Sequence, residues 1–192
     1  ILHIVKTNEG AAWAYHQAKW LFESGIDVVT VLPSVDAGMA QRYKNSGMEI
    51  IEGDFSLPVK KPWRIFGRIK NIRQCVKKVQ PDIIHCHFVT NVLMLRLALR
   101  NSRIPRLFQV PGPLHLESRF FKNIEIKLSN KNDFWAGACK KTCDIYVASG
   151  VPKDKIFLAY YGGYGGETCA EYKESQNILH NQFGIPSDSK LI

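Results

Sequence analysis

Apolar runs of strand length alternate along this chain with amphipathic stretches of helical length, and that alternation restricts the fold more than any other feature of the sequence. Leu2 to Val5 is followed by a helical pattern from about Ala11 to Ser24, and Ile26 to Leu32 forms the next apolar run. Gly25 separates the two, and glycine tolerates the left-handed conformation that ends many helices. Nearly continuous apolar runs are typical of parallel strands covered on both faces. The pattern predicts an α/β fold with a Rossmann-like, doubly wound, mostly parallel sheet.

The alternation continues to about residue 160. Further strands are predicted at 48–51, 82–86, 106–110, 145–148 and 156–160, and helices at 36–47, 60–80, 91–100 and 119–141. Thr90 is a predicted N-cap for the helix at 91–100. We expect residues 1–168 to form one domain. Residues 169–192 read as a linker and the start of a second domain, because Lys190-Leu191-Ile192 resembles a strand just beginning.

The cysteines indicate the redox compartment. The five of them are odd in number and form no CxxC pair, which argues against a disulfide framework and for a reducing cytosol. A local pair between Cys139 and Cys143 is the alternative.

No apolar run approaches the roughly 20 residues that a membrane-spanning helix needs.

The net charge of +9 on 192 residues predicts an anionic partner, either a phosphorylated substrate, lipid head groups or nucleic acid. Eight positive charges lie between Lys60 and Lys78, with Trp63 and Phe66 at the start of the segment. One hypothesis is that this helix faces an anionic membrane. The alternative is a solvated helix face. Nucleic acid is not favoured, because no recognised module or aromatic stacking platform is visible. The residues predicted to face a membrane are Lys61, Arg64, Arg68, Lys70 and Lys77.

Ligands of doubly wound sheets bind beyond the carboxyl ends of the strands, so the loops after three strands are the candidate sites. These loops are 8–12, 87–91 and 111–117. The Gly10 loop opens onto a helix, whose first backbone amides can hold a phosphate, but a plain tight turn is an equal alternative. The full GxGxxG fingerprint and the P-loop pattern are both missing, so neither NAD nor ATP binding is supported.

His85 and His87 end one predicted strand and share one of its faces, while Cys86 takes the other. A zinc site needs at least one more ligand, and the sequence offers no obvious one. We therefore predict no metal, with one histidine packed in the sheet and the other facing the cleft.

Three stretches together resemble the N-terminal domain of family 4 glycosyltransferases, which have two facing Rossmann-like domains in the GT-B arrangement. They are Leu-Phe-Glu-Ser-Gly-Ile-Asp-Val-Val-Thr-Val, Pro81-Asp82-Ile83-Ile84-His85-Cys86-His87 and Gly150-Val151-Pro152-Lys153-Asp154-Lys155-Ile156. Phe183-Gly184-Ile185-Pro186 is similar to the start of the family's second domain. The chain departs from the family at Glu9-Gly10-Ala11-Ala12, in place of a glycine pair, and at Pro111-Gly112, in place of His-Gly.

The resemblance implies transfer of a sugar from a nucleotide-sugar donor to a polysaccharide or glycolipid acceptor, with retention of configuration, no metal and no cofactor. It favours His87 as the cleft histidine, and the stiff loop carrying His115 and Glu117 is placed to orient an acceptor hydroxyl. An exposed polar loop is the alternative there. The predicted substrate-binding residues are Asn8, Glu9, Gly10, His87, Gly112, His115 and Glu117.

In this family the catalytic groups lie mainly in the second domain, so no catalytic residue is assigned and the chain is expected to be inactive alone. The expected location is the cytoplasm, with peripheral attachment to the inner face of the membrane. Two other functions remain open at this point: a sugar-nucleotide epimerase of the same architecture, and a non-enzymatic α/β binding module.

Overall fold

The computed structural model describes residues 1–36, 38–110, 112, 114–160 and 186. Residues Ile1–Tyr160 form one compact unit. The predicted domain boundary at residue 168 lies outside the described residues, as does the predicted linker apart from residue 186. Among the described residues, no helix is long and apolar enough to cross a membrane.

Seven parallel strands form one sheet in the order β3-β2-β1-β4-β5-β6-β7, so every strand pair is parallel rather than most of them. The strands are β1 (Leu2–Ile4), β2 (Val29–Leu32), β3 (Glu49–Glu52), β4 (Ile84–His87), β5 (Arg106–Val110), β6 (Asp133–Gly137) and β7 (Ile156–Leu158). The order reverses direction between β1 and β4, which is the topological switch point of the sheet.

Helices cover both faces of the sheet, as expected for right-handed crossovers. They are α1 (Ala12–Glu23), α2 (Ala40–Asn45), α3 (Ile65–Val79), α4 (Val89–Ala98), α5 (Leu114–Glu117), α6 (Arg119–Lys127) and α7 (Lys140–Ala148). One core lies beneath α3, α4 and α6 and contains Ile4, Ile84 and Phe108. A second core lies beneath α1 and α2 and contains Ala14 and Tyr43.

The predicted helix at 119–141 is wrong. Helix α6 ends at Lys127, residues 133–137 form the buried strand β6, and residues 145–148, predicted as a strand, belong to helix α7. The strand is fixed by a buried ion network. The Asp133 carboxylate accepts hydrogen bonds from Arg96 Nε (3.2 Å) and Arg106 Nη2 (2.8 Å). Glu125 pairs with Arg96 and accepts a hydrogen bond from Trp135 Nε1 at 2.9 Å.

The start of α4 also differs from the prediction. The helix begins at Val89, with Phe88 rather than Thr90 at the N-cap position. Thr90 lies inside the first turn, and its buried hydroxyl has no hydrogen-bond partner among the described residues. The helix can start earlier because Phe88 adopts a φ of 70° and a ψ of 129°, which turns the chain sharply at the end of β4.

Candidate active site

The topological switch point places the loops after β1 and β4 side by side, because these strands pair directly. In open α/β sheets the crevice beyond the strand ends at this point is the usual ligand site. Trp13, in the first turn of α1, joins the two loops. Its ring centroid lies 4.6 Å from that of His87 and 6.2 Å from that of Phe88. The structure therefore brings the Gly10 loop and the end of β4 together.

Gly10 and Ala11 give the first loop its shape. Both adopt left-handed backbone conformations, with φ of 66° and 52°, and helix α1 starts directly after them. Within the described chain no side chain caps this helix, and its first turn has no acidic residue. A Cβ added at Gly10 would meet no atom within 4 Å, so the loop backbone faces open space. The uncapped helix start can donate backbone hydrogen bonds to a phosphate group.

Asn8 holds the loop in place. Its side chain donates a hydrogen bond to the Ser34 carbonyl (2.6 Å) and accepts one from the Ser34 amide (3.0 Å). Its own carbonyl accepts a hydrogen bond from Met39 N at 2.8 Å. A Cβ at Gly38 would lie 2.2 Å from that carbonyl oxygen, so only glycine permits this contact. These bonds tie the loop after β1 to the loop after β2.

Glu9 lies next to this clamp, in a tight local turn. Its backbone amide donates to Thr7 Oγ1 (3.0 Å), and that hydroxyl donates to the Glu9 carbonyl (2.9 Å), which makes a tight local turn. The residue itself is exposed. Its side chain is therefore accessible from solvent.

His87 does not face the cleft: it is fully buried, and His85 is 4% exposed. A third histidine, His3 on β1, lies opposite His85 in the strand register. The sequence pattern alone did not reveal it. His3 Nε2 and His87 Nε2 are 2.6 Å apart, so one ring donates a hydrogen bond and the other accepts it. His85 Nε2 pairs with Gln109 Oε1 at 2.8 Å. The ring of Trp13 packs edge-on against His87.

Burial keeps the three histidines neutral. Desolvation lowers the pKa of His3 and His87 well below the ordinary value of 6.5, and the neighbouring rings lower each pKa further. The pKa of His85 falls to about 4, again because of burial, although the hydrogen bond to Gln109 partly opposes the decrease. At neutral pH the cluster carries no charge.

His3, His85 and His87 are also a candidate metal-binding set, since their ring nitrogens lie within 4.8 Å of one another. Zinc commonly binds three histidines, and His3 is the third ligand that the sequence did not reveal. The geometry fits a metal poorly, however. The Nε2 atoms of His3 and His87 already bond each other, and no carboxylate or thiolate joins the set among the described residues. The Nε2 atoms of all three rings have hydrogen-bond partners, whereas Nδ1 of His3 and Nδ1 of His87 are buried without one among the described residues.

His115 and Glu117, predicted to lie on a loop, belong to the short helix α5, and only one of the two side chains is exposed. The His115 ring turns inward, where Nε2 lies 3.0 Å from the Tyr146 hydroxyl and the ring centroid lies 5.6 Å from that of Phe108. Partial burial lowers its pKa, so the ring is neutral at pH 7. Glu117 is exposed, and Gly112 is partly buried before the start of α5.

The predicted membrane-facing residues divide into two groups. Lys61, Arg64, Lys70 and Lys77 are exposed on α3 and the turn before it. Arg68 instead folds back, donating to the Ser56 hydroxyl (3.0 Å) and pairing with Asp54. It therefore stabilises the loop before α3 rather than pointing outward.

Solved structures share this fold. A glycosyltransferase from Rickettsia africae superposes with a TM-score of 0.66 at 16% identity, over 97% of this chain and 50% of that chain. The Anabaena protein HepE, in complex with UDP-glucose, gives 0.71 at 11% identity over the same shares. A UDP-N-acetylglucosamine 2-epimerase from Listeria monocytogenes gives 0.59 at 15% identity, over 82% of this chain and 44% of that one.

The chain thus spans about half the length of the solved structures that it matches. None of the curated proteins is similar enough in sequence to match it. The sequence profile described as Glycosyltransferase Family 4 matches residues 10–162, most of the chain. Together with the all-parallel Rossmann-like sheet and its GT-B neighbours, this match shows that the chain belongs to Glycosyltransferase Family 4.

Proposed function

We propose that this chain is the acceptor-side half of an enzyme that transfers a sugar from a nucleotide-sugar to a saccharide or lipid-linked acceptor, and that it is inactive alone. The observation that carries the proposal is the left-handed Gly10–Ala11 turn, which opens an uncapped helix at the switch point of the sheet. The family and the UDP-glucose complex of HepE support a donor of the nucleotide-sugar class.

In the proposed reaction, an acceptor hydroxyl oxygen bonds to the anomeric carbon of the donor sugar as the bond from that carbon to the diphosphate oxygen breaks. The hydroxyl proton is released, and the nucleoside diphosphate leaves. The backbone amides after Gly10 stabilise negative charge on the diphosphate. Glu117 and Glu9 accept hydrogen bonds from sugar hydroxyls, and Asn8 positions the loop.

The roles of the buried side chains in the proposal are indirect. His87 supports the ring of Trp13 at the crevice, and His115 positions the short helix α5, which carries Glu117. No group among the described residues is assigned as a catalytic base.

We place the protein in the cytoplasm, which fits its unpaired cysteines Cys75, Cys86, Cys139 and Cys143. We further propose that transfer retains the anomeric configuration and needs neither metal nor cofactor.

The test is a product assay with the full-length protein and a panel of nucleotide-sugars. A transferase releases nucleoside diphosphate and makes a new glycoside, whose anomeric configuration NMR reads directly. Activity that persists in EDTA supports metal independence. If nucleotide-sugar is neither bound nor turned over, the proposal fails.

The likeness to the Listeria epimerase supports a second candidate function of the same architecture. An epimerase would return a nucleotide-sugar with one inverted carbon and would form no glycoside with any acceptor. The same assay therefore separates the two functions. A non-enzymatic binding module would bind the nucleotide-sugar and return it unchanged.

A further inference from the structure

Most of the net positive charge of this protein comes from one segment that contains no acidic residue. Residues 55–81 contain eight Lys and Arg and no Asp or Glu, whereas the net charge of the whole chain is +9. The rest of the molecule is therefore almost neutral. A uniformly basic surface would favour any polyanion, but this distribution directs one helix, α3, and the turn before it toward an anionic partner.

Large apolar side chains project from the same end of that helix. Val59 and Trp63 are each 69% exposed, and Phe66 is 80% exposed. They lie among Lys60, Lys61 and Arg64, which form no ion pair within the described part of the chain. We call this surface the basic tip; it comprises Val59, Lys60, Lys61, Trp63, Arg64 and Phe66.

The basic tip continues along the outer face of α3. Lys70 and Lys77 follow Phe66 by four and eleven residues, so all three lie on one side of the helix. The opposite side packs into the core through Ile72 and Val76. Beside the tip is a shallow depression of about 330 Å³, lined by Pro58, Lys60, Lys61 and Arg64 among others. Its size and charge suit a phosphate head group.

The tip lies at the same edge of the sheet as the candidate active site. Helix α3 follows β3 and begins at the carboxyl edge, where the loops of the crevice also lie. The loop before α3 contacts the start of α4 directly, through a 3.1 Å hydrogen bond from Leu57 N to the Thr90 carbonyl. Arg68 fixes this loop through Asp54 and Ser56.

We propose that the basic tip docks on an anionic phospholipid surface, with Trp63 and Phe66 inserted at the interface and Lys60, Lys61 and Arg64 on the lipid phosphates. Interfacial helices combine apolar side chains with Lys and Arg in this way, and Trp is favoured where apolar and polar environments meet. Docking would present the crevice to the membrane. The inference rests on the proposed function in one respect: a lipid-linked acceptor would reach the crevice from the membrane surface.

The test is flotation of the full-length protein with vesicles of phosphatidylcholine mixed with phosphatidylglycerol, and with vesicles of phosphatidylcholine alone. Binding to the mixed vesicles alone is expected. The variant Lys60→Gln/Lys61→Gln/Arg64→Gln should bind them about a hundredfold more weakly, from roughly 1 kcal/mol for each basic residue near the surface. Lys140→Gln/Lys141→Gln/Lys153→Gln removes the same charge from exposed positions elsewhere and should bind like the wild type.

A second matched pair tests the apolar part. Trp63→Ser should weaken binding about tenfold, through loss of buried apolar area. Trp20→Ser removes a tryptophan that is equally exposed, 67% against 69%, but lies outside the tip, and should change nothing. Equal losses in the tip and control variants would overturn the proposal, as would equal binding to both kinds of vesicle. Binding to single-stranded nucleic acid in place of vesicles would overturn it too.

The readouts keep this inference separate from the proposed function. Hydrolysis of nucleotide-sugar in free solution should be unchanged in all four variants. If the wild type turns over no nucleotide-sugar but floats with anionic vesicles, the proposed function fails and the docking surface stands. If turnover is normal and flotation does not occur, the docking surface fails and the proposed function stands.

Discussion

His3 and His87 share a hydrogen bond between their Nε2 atoms, 2.6 Å apart, across the paired strands β1 and β4. Both rings are buried at the switch point of the sheet, and the ring of His87 packs against that of Trp13. The floor of the candidate active site is thus a neutral imidazole cluster, and its protonation state is linked to the stability of the domain.

Stability should fall in mild acid because of this cluster. The folded protein lowers the pKa of His3, His85 and His87, and that of His85 falls to about 4, whereas each is near 6.5 in the unfolded chain. Below pH 6.5 the unfolded chain therefore takes up protons that the folded protein does not. Each histidine should reduce the free energy of unfolding by up to about 1.4 kcal/mol per pH unit in this window. Urea denaturation at a series of pH values measures the slope.

The same titration has a direct control. Above about pH 7 all three histidines are neutral in both states, so their contribution to the pH dependence should vanish. NMR of the histidine ring protons in the folded protein should show the three rings still neutral at pH 5.5. A flat stability profile between pH 5.5 and 7.5, or rings that titrate near 6.5, would contradict the prediction.

The protein should contain no stoichiometric zinc, although three histidines lie close enough to bind it. A metal would have to break the bond between His3 and His87, and its charge would be buried without a carboxylate or thiolate beside it. Metal analysis of full-length protein purified without chelator is the measurement. About one zinc per chain, lost in His3→Gln, would show that the cluster is a metal site.

The buried ion network around β6 should be costly to break. Asp133→Ala leaves the guanidinium groups of Arg96 and Arg106 buried without their shared partner, which typically costs 3–5 kcal/mol. Glu23→Ala removes an exposed pair with Lys19 on α1 and should change the free energy of unfolding by no more than about 0.5 kcal/mol. Urea denaturation of both variants makes the comparison. Similar small losses in both would mean that the network does not fix β6.

Local patterns predicted the sheet and the loops at its carboxyl edge, because strand and helix periodicity and glycine positions are visible in the sequence. They missed β6, whose Asp133 is buried only because Arg96 and Arg106 reach it from other elements. The turn-forming run Asn130-Lys131-Asn132 was the signal that could have ended the helix there.

The histidine cluster was missed for a related reason. His3 meets His85 through the register of two strands that are 82 residues apart, and no local pattern encodes that register. The expectation that one histidine would face the cleft also failed because His87 is fully buried, with its ring packed against Trp13. Phe88, with its left-handed φ of 70°, gives no sign in the sequence that it ends the strand and starts α4.

Gly10 should matter for donor turnover beyond its effect on stability. Gly10→Ala forces a side chain into a left-handed position, at a cost of roughly 1–2 kcal/mol, and projects a methyl group into the open space that the donor phosphate would occupy. Gly25→Ala is a matched control at the other end of α1, with a φ of 82° and equally open surroundings. Both variants should lose similar free energy of unfolding. In the full-length protein, Gly10→Ala should lower kcat/KM for the nucleotide-sugar by about ten- to a hundredfold, as expected for one lost phosphate-binding interaction, and Gly25→Ala should leave it unchanged. Equal turnover in the two variants would remove the phosphate-binding role of the loop and leave the turn as a structural feature.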